Sequence, residues 1–323
     1  MTDVAVVRPP VARRDATLAW LRTGGVYVAV AALLLFNFAF TENFATVDNL
    51  RLQLVQATPV IIVALGMALV IGTEGIDLSV GSVMALSAAV IPLYIGYGIW
   101  PAIGVALVVG LVVGLLNGFM VAVVGIQPIV ATLAILVGGR GLALVFAGGR
   151  LTEVFDPTLA SLGNDRLFGV LPYTVLTAAV LTALVALTVR RTTFGRRLVA
   201  IGGNREASLL AGLPVKRTLI GVYVLSGLFA AVAGVIATGR SGASNPSFVG
   251  LLIELSAITA VVVGGTPLTG GRVRILGTVM GAILMQLIIA TMVSRNLGDS
   301  AARMVQAAII IAAVYVQRER SRS

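Results

Sequence analysis

The sequence predicts an all-α, polytopic membrane protein with about ten transmembrane helices in two pseudo-repeated halves, some of the helices broken at glycines. Three observations carry that prediction. The 323-residue chain is 58% hydrophobic and only 11% charged, far more apolar than one soluble core requires. Its apolar runs recur near the ~20-residue length with which a helix crosses a ~30 Å hydrocarbon layer. Finally, two glycine-rich turns far apart in the chain, GIDLSVG at Gly75 to Gly81 and GTPLTGG at Gly265 to Gly271, share the pattern G-x-x-L-[ST]-x-G. Backbone polar groups in lipid must be satisfied within a helix or a closed barrel, and the alternating short segments of a barrel are absent, so the runs are read as helices.

Residues 1–23 form a basic N-terminal segment, and the first span, 24–40, lacks the small-residue cleavage site of a signal peptide and is read as retained. Further spans are predicted at 54–72, 79–97, 101–124, 128–147 and 171–189. A basic loop, 190–217, separates them from spans at 218–238, 247–263, 275–293 and 301–316, and a tail follows at 317–323. The whole chain reads as one transmembrane domain. With the N-terminus in the cytoplasm, Arg8, Arg13, Arg14, Arg22, the loop from Arg190 to Arg217, Arg272, Arg274 and the tail from Arg318 to Arg322 all fall on the cytoplasmic side. That is most of the 23 basic residues, and it predicts both termini inside. The same bias accounts for the net charge of +10 without nucleic acid, which would ask for basic stretches interleaved with aromatics. Gly104, Gly110, Gly114 and Gly118 recur at helical spacing and are expected to let helices approach closely.

In GTEGIDLSVGS the glycines free the backbone, Asp77 or Ser79 can cap the donors of a new helix, and the apolar run resumes near Val80. In GGTPLTGGRVRILG, which begins at Gly264, Thr266 or Thr269 is the expected cap and Pro267 suits a first helical turn. Two readings of the pair stand open. They are tight turns at one membrane face, or they are the breaks with which transporters line a path with helix ends, which makes Gly75, Asp77, Ser79, Gly81, Gly264, Gly265, Thr266 and Thr269 candidate pathway residues. Two charges lie within spans. Arg140 stands 12 residues after Pro128, about 18 Å along a helix and beyond the midplane. Glu254 belongs to the same half. Either the two face each other or the path, or Arg140 snorkels to the interface and Glu254 stays near its loop.

The chain contains no cysteine or histidine, which removes thiolate chemistry, the usual zinc sites and imidazole catalysis. No metal site is expected. Glu74 and Asp77 are the only closely spaced carboxylates in an apolar setting, and capping explains them better than hydrolysis does, so the chain is not expected to be an enzyme. An ion-coupled secondary transporter would need more ionisable groups in its spans than Arg140 and Glu254. No glycine-rich phosphate loop with a lysine exists, because Lys216 is the only lysine, so ATP has to be bound by another chain.

Within the basic loop, Asn204 can N-cap a short helix, Glu206 favours its first turn, Gly212 can end it and Pro214 prevents its continuation. Two turns of helix are marginal alone and need a surface, either a partner protein or the chain itself with lipid. The stretch EASLLAG, from Glu206 and Ala207 to Gly212, resembles the E-A-A-x-x-x-G coupling motif of bacterial ABC-importer permeases. Together with GIDLSVGS, QPIVATLAILVGGRGLALVFAGG and AITAVVVGGTPLTGG, it is similar to the ribose, xylose and arabinose branch of monosaccharide ABC permeases over about residues 50 to 290. The resemblance implies a multi-pass subunit of the bacterial plasma membrane that pairs with itself or a paralogue. It also implies two ATPase subunits docked on Asn204 to Gly212, and sugar delivered by a periplasmic or lipid-anchored binding protein. Related permeases move nucleosides or autoinducer-2, and the frame motifs do not separate these. The chain departs from the family pattern at Glu74, where a small residue is usual, and at Arg272 and Arg274.

Overall fold

A computed structural model of the protein describes residues 13–297, with side chains from 24 onward, together with 301, 304, 305, 307–309 and 311. The fold is almost entirely helical. Helix α1 (Arg13–Phe40) is followed by α2 (Val47–Gly72), whose start is fixed by Thr46 accepting from the Asn49 N–H, with Asp48 in the first turn. Helix α3 (Val80–Tyr94) runs into a 3₁₀ turn (Ile95–Tyr97), and α4 (Ile99–Phe119) ends in a π-helical turn (Met120–Val124) closed by left-handed Gly125. Helix α5 (Pro128–Phe146) opens with proline at N1, where its missing N–H costs nothing. After an irregular stretch come α6 (Pro157–Asn164), capped by Asp156, and then α7 (Tyr173–Arg191). Helices α8 (Thr193–Gly203), α9 (Arg205–Leu210), α10 (Val215–Ser241), α11 (Ile253–Val263) and α12 (Ile275–Ser294) follow in order.

Seven of these segments are long and apolar enough to cross a membrane: α2, α3 with its 3₁₀ turn, α4 with its π turn, α5, α7, α10 and α12. The apolar part of α1 (Gly24–Phe40) and α11 are shorter. The molecule is thus a polytopic membrane protein. The predicted span 301–316, the basic N-terminal segment and the tail fall largely or wholly outside the described residues.

Helices α2, α3 and α10 form the centre, α2 being buried almost continuously from Ala57 to Gly72. Helices α5 and α7 lie at the periphery, with exposed Val130, Val137 and Val145 on one and Leu184 and Leu187 on the other. In lipid such apolar exposure carries no penalty. Three of the four spaced glycines do pack helices together. A Cβ on Gly110 would meet the Gly227 carbonyl at 2.5 Å, one on Gly114 the Tyr223 carbonyl at 2.6 Å, and one on Gly118 the Ile220 Cα at 2.8 Å, all on α10. Gly104 is different: nothing lies within 4 Å of its added Cβ. Gly114→Val is therefore expected to cost about 1–3 kcal/mol through overpacking against backbone, and Gly104→Val close to nothing. Thermal unfolding of the two variants in detergent checks this.

Three expectations need correction. The predicted span 247–263 is helical only from Ile253, because Asn245 to Leu252 contains Pro246, left-handed Gly250 (φ 69°) and left-handed Leu252 (φ 60°). The loop between α7 and α10 contains a second helix, α8, in which Leu198 and Ile201 share a buried face and Thr192 caps the Gly195 N–H. The helix after GTPLTGG begins at Ile275, so Pro267 sits in the loop rather than in a first turn. Two small antiparallel ribbons also occur far from α8. β1 (Thr152–Glu153) pairs with β4 (Ala243–Ser244), and β2 (Arg166–Leu167) with β3 (Leu171–Pro172).

Candidate functional site

The two glycine-rich turns, distant in sequence, lie against each other at the end of the bundle that carries α8 and α9. The Gly271 N–H donates to the Gly72 carbonyl over 3.1 Å. A Cβ added to Gly270 would stand 2.7 Å from the Gly202 carbonyl and 3.0 Å from the Glu74 nitrogen. Gly202, at the end of α8, is packed so closely that a side chain would overlap the Gly72 carbonyl and the Gly271 nitrogen. One glycine of α8 thus touches both turns at once.

From this junction the chain passes directly into α9. Asn204 caps it, its side chain accepting from the Ala207 N–H at 2.8 Å, and Glu206 occupies the first turn beside the N-terminal dipole. Gly212 adopts φ 73° and closes the helix, with its N–H on the Leu209 carbonyl and the Leu213 N–H on the Ser208 carbonyl. Ser208 is buried against the protein, whereas Leu209 is 53% and Leu210 91% exposed. Leu209 and Leu210 therefore face away from the rest of the bundle, while Ser208 anchors the helix to it.

The first turn closes α2 with the same chemistry but an unusual residue. The Glu74 N–H bonds the Ile71 carbonyl, the Gly75 N–H bonds the Val70 carbonyl, and Glu74 itself stands at φ 66°. A left-handed residue after a helix is ordinarily glycine, so the departure noted at Glu74 falls on a strained position. Glu74→Gly is expected to raise stability by up to ~1 kcal/mol, checked by chemical or thermal denaturation.

Asp77 is fully buried and acts as a hub. One carboxylate oxygen accepts from the Ser79 N–H (3.0 Å) and the Ser79 hydroxyl (2.6 Å), and the other accepts from the Ser226 hydroxyl of α10 (2.7 Å). Asn117 of α4 donates to Ser79 Oγ at 2.7 Å. Ser79 precedes α3 without capping it by its side chain, so the turn is held by Asp77. Ser226 and Asn117, single polar residues in the apolar runs VLSGLF and LLNGFM, are the members sequence reasoning missed, and their isolation was the available signal. Tyr223 of α10 reaches the same turn, its hydroxyl 2.7 Å from where a Gly75 Cβ would lie.

In the second turn, Thr266 is buried and its Oγ1 accepts from the Arg274 N–H at 3.0 Å, next to the start of α12. Thr269 is exposed. Gly264 packs on α12, where a Cβ would stand 2.5 Å from the Gly277 carbonyl, and Gly265 takes φ 89°.

Arg140 does not snorkel. Its guanidinium turns to the irregular stretch ahead of α11 and donates to the carbonyls of Pro246 (2.8 Å), Val249 (2.7 Å) and Gly250 (3.1 Å). Glu254 is buried nearby, and no ion pair joins the two among the described residues. Both close on Gly81 of α3, where a Cβ would meet Glu254 Oε2 and the Gly250 carbonyl at 2.5 Å and Arg140 Nη2 at 3.5 Å.

The chain matches the family described as branched-chain amino acid transport system / permease component over residues 49–314. It is 35% identical over 315 residues to a ribose import permease protein of Escherichia coli, covering 95% of this chain and 97% of that one. It is 35% identical over 301 residues to an L-arabinose transport system permease protein of the same organism, covering 93% and 91%. It is also 36% identical over 271 residues to a fructose import permease protein of Bifidobacterium longum, covering 82% and 76%. No solved structure matches. A bundle of membrane-crossing helices, two linked glycine turns and a short capped helix with a bare leucine at its tip accordingly fall within one assignment: the chain belongs to the branched-chain amino acid transport system / permease component family.

Proposed function

We propose that the chain forms the membrane path of an ATP-driven importer for a monosaccharide. A separate ATPase subunit supplies the energy through α9, and a binding protein on the far side delivers the cargo. The observation that carries this reading is the placement of α9, which displays Leu210 outward while the adjoining α8 touches both glycine turns through Gly202. Motion of a docked subunit would reach the first turn, the second turn and α10 without an intervening flexible segment. The sugar assignment rests on the ribose, arabinose and fructose transport named for its relatives. The charge bias of the basic loop bearing α8 and α9 supports a cytoplasmic location for that end. The chain pairs with a second permease copy or a paralogue, nucleotide is held by the partner, and the membrane is the bacterial plasma membrane.

The test is uptake into vesicles containing the permease with its genomically neighbouring ATPase and binding protein. ATP-dependent accumulation of labelled ribose, arabinose or fructose that persists with an ionophore is expected. Accumulation that collapses with the ionophore, or uptake of a nucleoside in preference to every sugar, would redirect the assignment.

A further inference from the structure

The stretch Asn245 to Leu252 is non-helical backbone at membrane depth. Helix α11 after it has 11 residues, about 16 Å, roughly half of a ~30 Å hydrocarbon layer. Arg140, which grips the stretch, stands about 18 Å along α5 from Pro128. Irregular backbone at such depth is tolerated only where protein buries it or water reaches it. One side is buried: the Pro246, Val249 and Gly250 carbonyls are satisfied by Arg140, and Gly250 lies against Gly81. The other side is open. Ser247 is exposed and Phe248 is 72% exposed, with Leu251 and Leu252 beside them. A serine and non-helical backbone facing outward at this depth suit a wetted passage better than lipid.

The anchorage also contains an unused alternative. Glu254 Oε2 is buried without a hydrogen-bond partner, yet it lies beside the same Gly81 position as Arg140 Nη2. The guanidinium therefore has two competing sets of acceptors within a short swing: three backbone carbonyls of the stretch, which it now holds, and the unpartnered Oε2 of Glu254.

We propose that Asn245 to Leu252 is a movable barrier in the passage, with Phe248 as the side chain that meets cargo and Arg140 as the positioning residue that exchanges the stretch's carbonyls for Glu254 when the barrier moves. The proposal rests on the ATP-driven import reading and adds to it where cargo is stopped. Gly81 is what makes the exchange sterically feasible, since any larger residue would occupy the space in which Gly250 and Glu254 meet α3.

Because the chain has no cysteine, a thiol placed in the stretch is its only one, and labelling is read on the permease band after the subunits are separated. A near-isosteric Ser247→Cys variant, in the complex assembled with ATPase and binding protein, is labelled with a membrane-impermeant maleimide without nucleotide and after vanadate trapping. Labelling is expected to differ by about threefold or more between the two states. Adding Arg140→Gln is expected to erase the difference, and Arg140→Lys should not restore it, because one ammonium cannot hold three carbonyls in a planar fork. Phe248→Ala is expected to let cargo leak from loaded vesicles without ATP. Equal labelling in both states while ATP-driven uptake persists would overturn the proposal. So would an unaltered difference in the Arg140→Gln background, or absence of a Phe248→Ala leak. If Arg140→Gln fails to accumulate, Gly81→Ala, whose methyl intrudes on the same contact, is read by the same labelling criterion. Loss of ATP-driven uptake in the parent complex would instead count against the import reading.

Discussion

Leu210→Asp is expected to lower ATP-driven uptake by about tenfold or more while leaving the permease folded. The side chain is 91% exposed, so the free protein loses no packing when it is replaced. In a docked complex the same leucine would be buried, worth ~1.5–3 kcal/mol, and a charge in its place adds desolvation to that loss. About 1.4 kcal/mol is a tenfold change in affinity. Unchanged thermal unfolding, together with weaker co-purification of the ATPase and slower uptake, is the predicted combination. Uptake at the parent rate would show that α9 does not dock. Glu206→Lys is expected to act in the same direction more weakly, since it places a cation beside the positive end of a short helix.

Gly202→Val should be more damaging and should act through the fold. Its Cβ would overlap the Gly72 carbonyl and the Gly271 nitrogen, which are backbone atoms of two different turns, so no side-chain rotation relieves the clash. The hydrogen bond from Gly271 to Gly72 is displaced in the same step. Overpacking against backbone costs about 1–3 kcal/mol and is paid here at a junction of three segments. ATPase binding is expected to survive, because the leucine tip of α9 is untouched, whereas coupling of hydrolysis to uptake is lost. Measuring ATPase co-purification and uptake on the same sample separates the two effects. The neighbouring Gly203 has nothing within 4 Å of an added Cβ, so Gly203→Ala is the matched control and should behave like the parent.

Local chemistry was legible in the sequence wherever one short segment determines the result. Helix α9 is such a case, because Asn204, Gly212 and Pro214 write a start, a stop and a barrier within a few residues. The restart of the helix at Val80 is another. Contacts between segments were not legible. The shared pattern of the two turns does not say that they touch, since that depends on Gly72, Gly202 and Gly271 meeting through backbone atoms that leave no side-chain signature. The partners of Arg140 were hidden for the same reason: its depth follows from counting residues after Pro128, but its acceptors are carbonyls. The span at 247–263 was overextended because averaged hydropathy outweighs Pro246 and Gly250, whose local meaning was visible. Helix α8 was obscured by Arg196 and Arg197, which made an amphipathic segment read as a basic loop.

The most direct test of a permease powered through α9 is cargo accumulation in proteoliposomes containing the chain with and without its ATPase, under an imposed ion gradient or ATP. Accumulation is expected only when the ATPase and ATP are both present, unaffected by collapse of the gradient and lost in Leu210→Asp. Uphill accumulation by the chain alone, driven by an ion gradient, would contradict it.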